Sequence, residues 1–224
     1  ECQRAKLKQM LDSVKRISNN VNALIVIDGT SSMKRFGPAV AQSIERIINE
    51  RQMDGKERMK WGLAVYRDYA DNNRKFEIIP LNDDPQIIIN ELRSIRFKSD
   101  AIPHSEAHYY GMTEAIKQAG FVKGESNIIV LVGDAGNHSP DKDKMRLKRE
   151  DVIDLMVKKR ISLVSFQVNY LTGEHASIYA KYNLDSKNYI LASAKKFIKQ
   201  LDRSEGLDVK LTPKRTKSSY GLEF

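Results

Sequence analysis

Apolar residues recur along this chain with two different periods. Residues 21 to 27, "VNALIVI", are apolar almost without a break, which predicts a strand covered on both faces. "MKWGLAVY" (59–66), "NIIVLVG" (127–133) and "ISLVSFQV" (161–168) predict further strands. So does "KFEIIPL" (75–81), and only residues 67–74 separate it from the strand before it. A helical crossover needs more chain than that, so these two strands predict an antiparallel hairpin. Between the strands the period lengthens. Val40, Ile44, Ile47 and Ile48 make one stripe in "FGPAVAQSIERIINERQ", with Pro38 suited to a first helical turn. Residues 84–95, with Pro85 near the start, 106–120, ending at Gly120, and 149–160 predict three more helices. Leu7, Met10, Leu11, Val14 and Ile17 predict another over 5–18. After the last long strand, "EHASIYAKYN" reads as a helix, "NYILA" as a short strand and "AKKFIKQLDR" as a final helix.

Strands that alternate with helices imply a doubly wound, mostly parallel sheet with helices on both faces and one antiparallel edge strand. The expected organisation is an N-terminal helical extension (1–20), one α/β domain (21–205) and a polar tail (206–224). No internal repeat is visible. The chain of 224 residues, 41% apolar, suits one large core. No run of 18 uncharged apolar residues marks a membrane span. The start, "ECQRAKLKQM", lacks an apolar signal core and an initiator Met, and reads as a segment of a longer protein. A single cysteine, Cys2, excludes an internal disulfide framework and a thiolate zinc cluster. The formal charge is +9. Its basic residues are spread out, apart from Lys210, Lys214, Arg215 and Lys217, and carry no interleaved aromatics. That pattern favours a solvated basic surface over a nucleic-acid site.

Two of the apolar strands end at an acid. "VID" closes at Asp28 and "VGD" at Asp134. Ligands of an open parallel sheet sit past the carboxyl ends of its strands, near the point where the strand order reverses. The two acids are therefore candidates to face one crevice. Thr30 and Ser32 alternate with Asp28 in "DGTSS", so their hydroxyls can converge beside it. Carboxylates, hydroxyls and water suit Mg²⁺, Ca²⁺ or Mn²⁺.

Competing chemistries fit less well. A phosphate-binding loop needs a second glycine that "GTSSMKRF" lacks, and no GxSxG elbow is present. The "DGT" resembles a haloacid-dehalogenase-like phosphatase, but Val26 stands where that family has its nucleophilic Asp. The bland alternative is that Asp28 caps the following helix and the hydroxyls fill a turn.

At these residues the chain resembles the von Willebrand factor type A (VWA) domain. That family's DxSxS motif reads here Asp28-Gly29-Thr30-Ser31-Ser32, and "IIVLVGDA" places Asp134 at its last metal acid. "VYRDYAD" (65–71), "SEAHYYGMTEAI" (105–116) and "GDAGNH" (133–138) resemble signatures of a bacterial and protist branch. The resemblance extends over about residues 20–204 and implies a Rossmann-like VWA fold with a metal-ion-dependent adhesion site. It implies Thr30 and Ser32 as hydroxyl ligands of a divalent cation, with Asp28 and Asp134 acting directly or through water. The middle ligand departs from the family pattern: the loop is "KSDAIPHSE", Asp100 is the first choice, and Ser105 and Thr113 are alternatives. Asp68 and Asp71 read as a solvated loop, with capping or bracing of the site as the alternative, His138 as a surface or capping residue, Tyr109 and Tyr110 as packing residues, and Trp61 as core.

The resemblance implies a non-enzymatic protein-interaction module whose ion accepts a Glu or Asp from a partner, within a bacterial envelope or secretion assembly. The alternative is a structural domain with a degenerate metal site. Metal-assisted hydrolysis would need a positioned base, for which His138 and Asp68 are the only candidates.

Overall fold

Five strands form one sheet: β1 (Asn20–Asp28), β2 (Arg58–Tyr66), β3 (Phe76–Asn82), β4 (Ser126–Gly133) and β5 (Ile161–Gln167), in the spatial order β3-β2-β1-β4-β5. The computed structural model describes residues 20–54, 58–98, 105–139 and 141–168, together with isolated positions between 177 and 195. β1 runs parallel to β2 and to β4, and β4 runs parallel to β5. β2 and β3 form the antiparallel hairpin expected from their short connection.

Among the described residues, four helices cover the sheet: α1 (Gly37–Asp54), α2 (Pro85–Ser94), α3 (His108–Gln118) and α4 (Arg149–Lys159). Their limits follow local chemistry. Asp84 caps α2 by accepting a hydrogen bond from the Gln86 N–H at 2.9 Å, and Pro85 occupies its first position. Beyond α3, Gly120 takes φ +81°, a left-handed conformation that stops a helix at no steric cost.

Alternation along each strand sends successive side chains to opposite faces. On one face Ala23, Ile25 and Ile27 of β1, with Leu63 and Val65 of β2, pack against Ile44 and Ile48 of α1 and Ile88 and Leu92 of α2. On the other, Leu24, Val26 and Ala64 meet Met112 and Ile116 of α3 and Val152 and Met156 of α4. Two-sided burial explains why β1 is apolar throughout. Each fully buried Leu or Ile contributes roughly 1.5–3 kcal/mol.

From β1 the chain proceeds towards β2, whereas from β4 it proceeds towards β5. β1 and β4 are neighbours, so the order reverses between them. A crevice at such a reversal, past the carboxyl ends of the strands, is where open α/β sheets hold ligands.

The chain divides into two compact units, Glu1–Gly173 and Glu174–Phe224. The sheet belongs to the first. In the second, the described positions are helical and include Asn188, Leu191 and Ala192. This corrects the short strand expected at "NYILA": leucine, alanine and the neighbouring lysines favour a helix intrinsically. The helix expected over 5–18, Cys2, Asp100, the basic group at 210–217 and the tail lie outside the described residues. No helix among the described residues is long and apolar enough to cross a membrane.

Candidate functional site

The loop after β1 is fastened on three sides. The Gly29 N–H donates to the Tyr66 carbonyl at 2.8 Å, and the Gly29 carbonyl accepts from the Lys98 N–H at 3.0 Å and from Arg67 Nε at 3.2 Å. Arg67 is buried and donates further to the carbonyls of Arg74 (2.7 Å) and Arg96 (3.2 Å) and to Glu77 (3.1 Å). A 3₁₀ turn follows over Ser31–Arg35, anchored by the fully buried Met33.

Held in this way, the loop brings four side chains into one line of oxygens. Asp28 Oδ1 accepts from the Thr30 N–H at 2.9 Å and from Thr30 Oγ1 at 2.7 Å. Thr30 Oγ1 lies 3.1 Å from Ser32 Oγ, and Ser32 Oγ donates to Asp134 Oδ1 at 3.0 Å. Asp28 and Asp134 are both fully buried, while Ser32 is half-buried at the open end. Asp28 Oδ2 is buried without a hydrogen-bond partner. Burial and then the Asp134 carboxylate push Asp28 up to about 7. Two ionised carboxylates side by side in a dry site repel each other, so the pair calls for a proton or a cation.

A third acid stands with them. Glu106 lies on the segment leading into α3, and its backbone pairs with the loop that follows Asp134. Its N–H donates to the Gly136 carbonyl at 3.0 Å, and its carbonyl accepts from the His138 N–H at 3.2 Å. Its side chain is buried and Oε2 has no partner. Burial, then Asp28, Asp68, Asp134 and Asp71, push it up to about 10. The Tyr66 phenol reaches the same place. A Cβ on Gly133 would stand 2.9 Å from Tyr66 Oη and 3.3 Å from Asp28 Cβ, so only glycine leaves room for this approach. Burial, then Asp28, Glu106 and Asp134, raise the phenol well above its ordinary value.

The rim is a second polar network. His138 Nε2 lies 3.1 Å from Asp68 Oδ1, and the His138 ring stacks on Tyr69 with centroids 5.8 Å apart. Tyr69 donates to Asp143 Oδ1 at 3.0 Å, and Asn137 Nδ2 donates to Asp143 Oδ2 at 3.0 Å. Burial opposes ionisation of Asp143, but hydrogen bonds from Asn137, the Leu147 N–H, Tyr69 and the Met145 N–H outweigh it and hold the carboxyl below its usual range. Asp71 closes a capping box by accepting from the Asp68 N–H at 3.1 Å, and Asp68 accepts from the Tyr69 N–H.

Asp28, Thr30, Ser32 and Asp134 thus come together, although they lie on loops far apart in sequence. Asp100 lies outside the described residues. Ser105 is half-buried next to Glu106, and Thr113 is buried inside α3 among Met112, Ala115 and Ile116. The solvated loop expected at Asp68 and Asp71 is corrected: both are buried and cap the turn after β2, the alternative reading. His138 is likewise no ordinary surface residue. Trp61 is core and Tyr110 packs against Phe76 and Tyr69, as expected. Glu106 is the acid that sequence reasoning missed. The "SEA" segment was visible, but an acid just ahead of a helix reads as ordinary first-turn chemistry. Among the described residues, no three His, Cys, Asp or Glu side chains converge as a ready-made ligand cluster. A cation here would rest on two carboxylates, two hydroxyls and water, a donor set that fits a hard divalent ion.

An open sheet with one antiparallel edge and a DxSxS-type loop at its reversal point defines a von Willebrand factor type A domain. The chain belongs to the TssR protein VWA domain family, whose sequence profile matches residues 7–204. Among solved structures it is similar to the pilus adhesin SpaC from Lactobacillus rhamnosus GG in its open conformation. That match has 18% identity and a TM-score of 0.43, and covers 51% of this chain and 14% of that one. A second SpaC structure matches at 18% identity and a TM-score of 0.44, covering 52% and 16%. The chain therefore spans well under a quarter of the adhesin it resembles. No curated protein matches its sequence.

Proposed function

We propose that this domain is a non-enzymatic protein-interaction module that holds a divalent cation, Mg²⁺ first and Ca²⁺ or Mn²⁺ as alternatives, and through it binds a Glu or Asp of a partner. The observation that carries this reading is the fully buried Asp28, whose Oδ2 is unpartnered beside a second buried acid. A buried polar atom without a partner costs about 1–3 kcal/mol, so its retention calls for a ligand. Thr30 and Ser32 would hold the ion through hydroxyls, and Asp28 and Asp134 directly or through water. Ser32, at the open end, marks the side from which a partner's carboxylate would arrive. The +9 chain would favour an acidic partner and speed its approach. Membership in the TssR family supports a role within a bacterial secretion assembly.

The test is a nuclear magnetic resonance titration of the amides from Gly29 to Ser32. Mg²⁺ is expected to shift them, a glutamate-bearing peptide to shift them again, and EDTA to reverse both. A peptide response that persists without the ion would contradict the proposal. The second reading, a structural domain with a degenerate site, is favoured by the lack of a three-acid cluster among the described residues. It predicts no response to any divalent ion.

A further inference from the structure

Glu106 has no part in the DxSxS-type ligand set, yet it is only 5% exposed and keeps an unpartnered Oε2. Its backbone is bonded to Gly136 and His138, directly after Asp134. Asp28, Asp68, Asp134 and Asp71 lie near enough for their charges to act on it, and the Tyr66 phenol shares Asp28 and Asp134 with it. His138 is engaged with Asp68, and Arg67 with carbonyls and Glu77. No cation among the described residues is paired with Glu106.

We propose that Glu106 is a third carboxylate of the cation site, acting on the ion through bridging water. This rests on the cation reading above. Direct ligation by all three acids does not fit, because they do not converge as a cluster. Water-mediated contact satisfies Glu106 Oε2 and still leaves the ion's ligand positions to the hydroxyls, to Asp28 and Asp134, and to a guest. It also changes the charge balance. Two carboxylates neutralise a divalent ion, whereas three leave the loaded site negative. The site should then hold its ion tightly and favour cations of higher charge.

Tb³⁺, an oxygen-seeking probe whose emission is sensitised by nearby tyrosine, reads this directly through Tyr66, with Mg²⁺ added as competitor. In the 224-residue chain, Glu106→Gln should weaken Tb³⁺ and Mg²⁺ binding by about 10- to 100-fold, the range typical of outer-shell partners. Glu106→Asp, which keeps the charge, should recover most of that loss. Glu106→Met serves in place of the glutamine variant if the latter does not fold. A neutral variant that binds both ions within twofold of the parent overturns the proposal, as does an aspartate variant as weak as the neutral one. Asp28→Asn separates the two levels. If it abolishes binding while Glu106→Gln does not, the cation site stands and the role of Glu106 falls. If the parent chain binds neither ion, both fall.

Discussion

β1 and β4 carry a buried polar pair at each end, and the two pairs behave in opposite ways. At the amino end Asn22 stands in register with Asn127. Asn22 Nδ2 donates to Asn127 Oδ1 at 2.9 Å and to Glu125 at 2.8 Å, and Asn127 Nδ2 donates to the carbonyls of Val122 and Lys159. Amides supply donor and acceptor together, so the pair closes on itself and ties β1, β4 and the end of α4. At the carboxyl end Asp28 meets Asp134, and both groups are acceptors when ionised. With both groups ionised the acid pair cannot close on itself and leaves Asp28 Oδ2 without a partner; it closes only around a proton or a cation. Equal burial on the same two strands therefore yields a structural lock at one end and an unfinished site at the other.

Substitutions should separate the two ends. The largest effect is expected on cation binding. Asp28→Asn or Asp134→Asn should weaken it by at least about 100-fold, more than outer-shell changes do, as read by titration calorimetry. Neither should destabilise the ion-free protein, because each removes like-charge repulsion. Next comes Arg67→Met, which strips a donor from the Gly29, Arg74 and Arg96 carbonyls. It should cost about 3 kcal/mol in denaturant unfolding and loosen the loop after β1. Asn127→Ala should cost about 2 kcal/mol, since it leaves Asn22 and two carbonyls short of partners, with cation binding unchanged.

The smallest effect, taken per pH unit, is on pH dependence. Burial and neighbouring acids raise Glu106 to about 10, so the folded chain keeps a proton that the unfolded chain has released. Ion-free stability should therefore fall as pH rises, by up to about 1.4 kcal/mol per pH unit, until that value is passed. Asp28, raised to about 7, adds to the fall below that pH. His108, pushed down to about 4 by burial and then Arg149, acts in the opposite direction, but only below its ordinary value of about 6.5. The range from pH 8 to 9, above the titration of Asp28, thus isolates Glu106, and Glu106→Gln should flatten the slope measured there by thermal melts.

The strands were legible in the sequence because two-sided burial leaves β1 and β4 almost no polar position. The acids that end "VID" and "VGD" were legible for the same reason: a charge after such a run marks the mouth of the sheet. Glu106 was not, because its burial comes from pairing with residues 136–138, a contact that no local pattern encodes. Asp68, Asp71 and His138 were hidden similarly. "DYADNNR" is polar enough to read as solvated, yet Asp68, Tyr69 and Asp71 within it are buried, with the His138 ring stacked on Tyr69 from a distant loop. "NYILA" misled through composition, since a run of five residues does not distinguish a buried strand from a helix segment.

The most direct test of the account is the melting temperature of the chain at pH 8 in EDTA and in millimolar Mg²⁺, Ca²⁺ or Mn²⁺. An ion that binds only the folded state raises stability by about 2.7 kcal/mol at a hundred times its dissociation constant. At least one of these ions should raise the melting temperature by several degrees, and the Asp28→Asn, Asp134→Asn double variant should show no rise. Equal melting temperatures with and without every ion, or a rise that survives in the double variant, would contradict the assignment of the acid pair as a cation site.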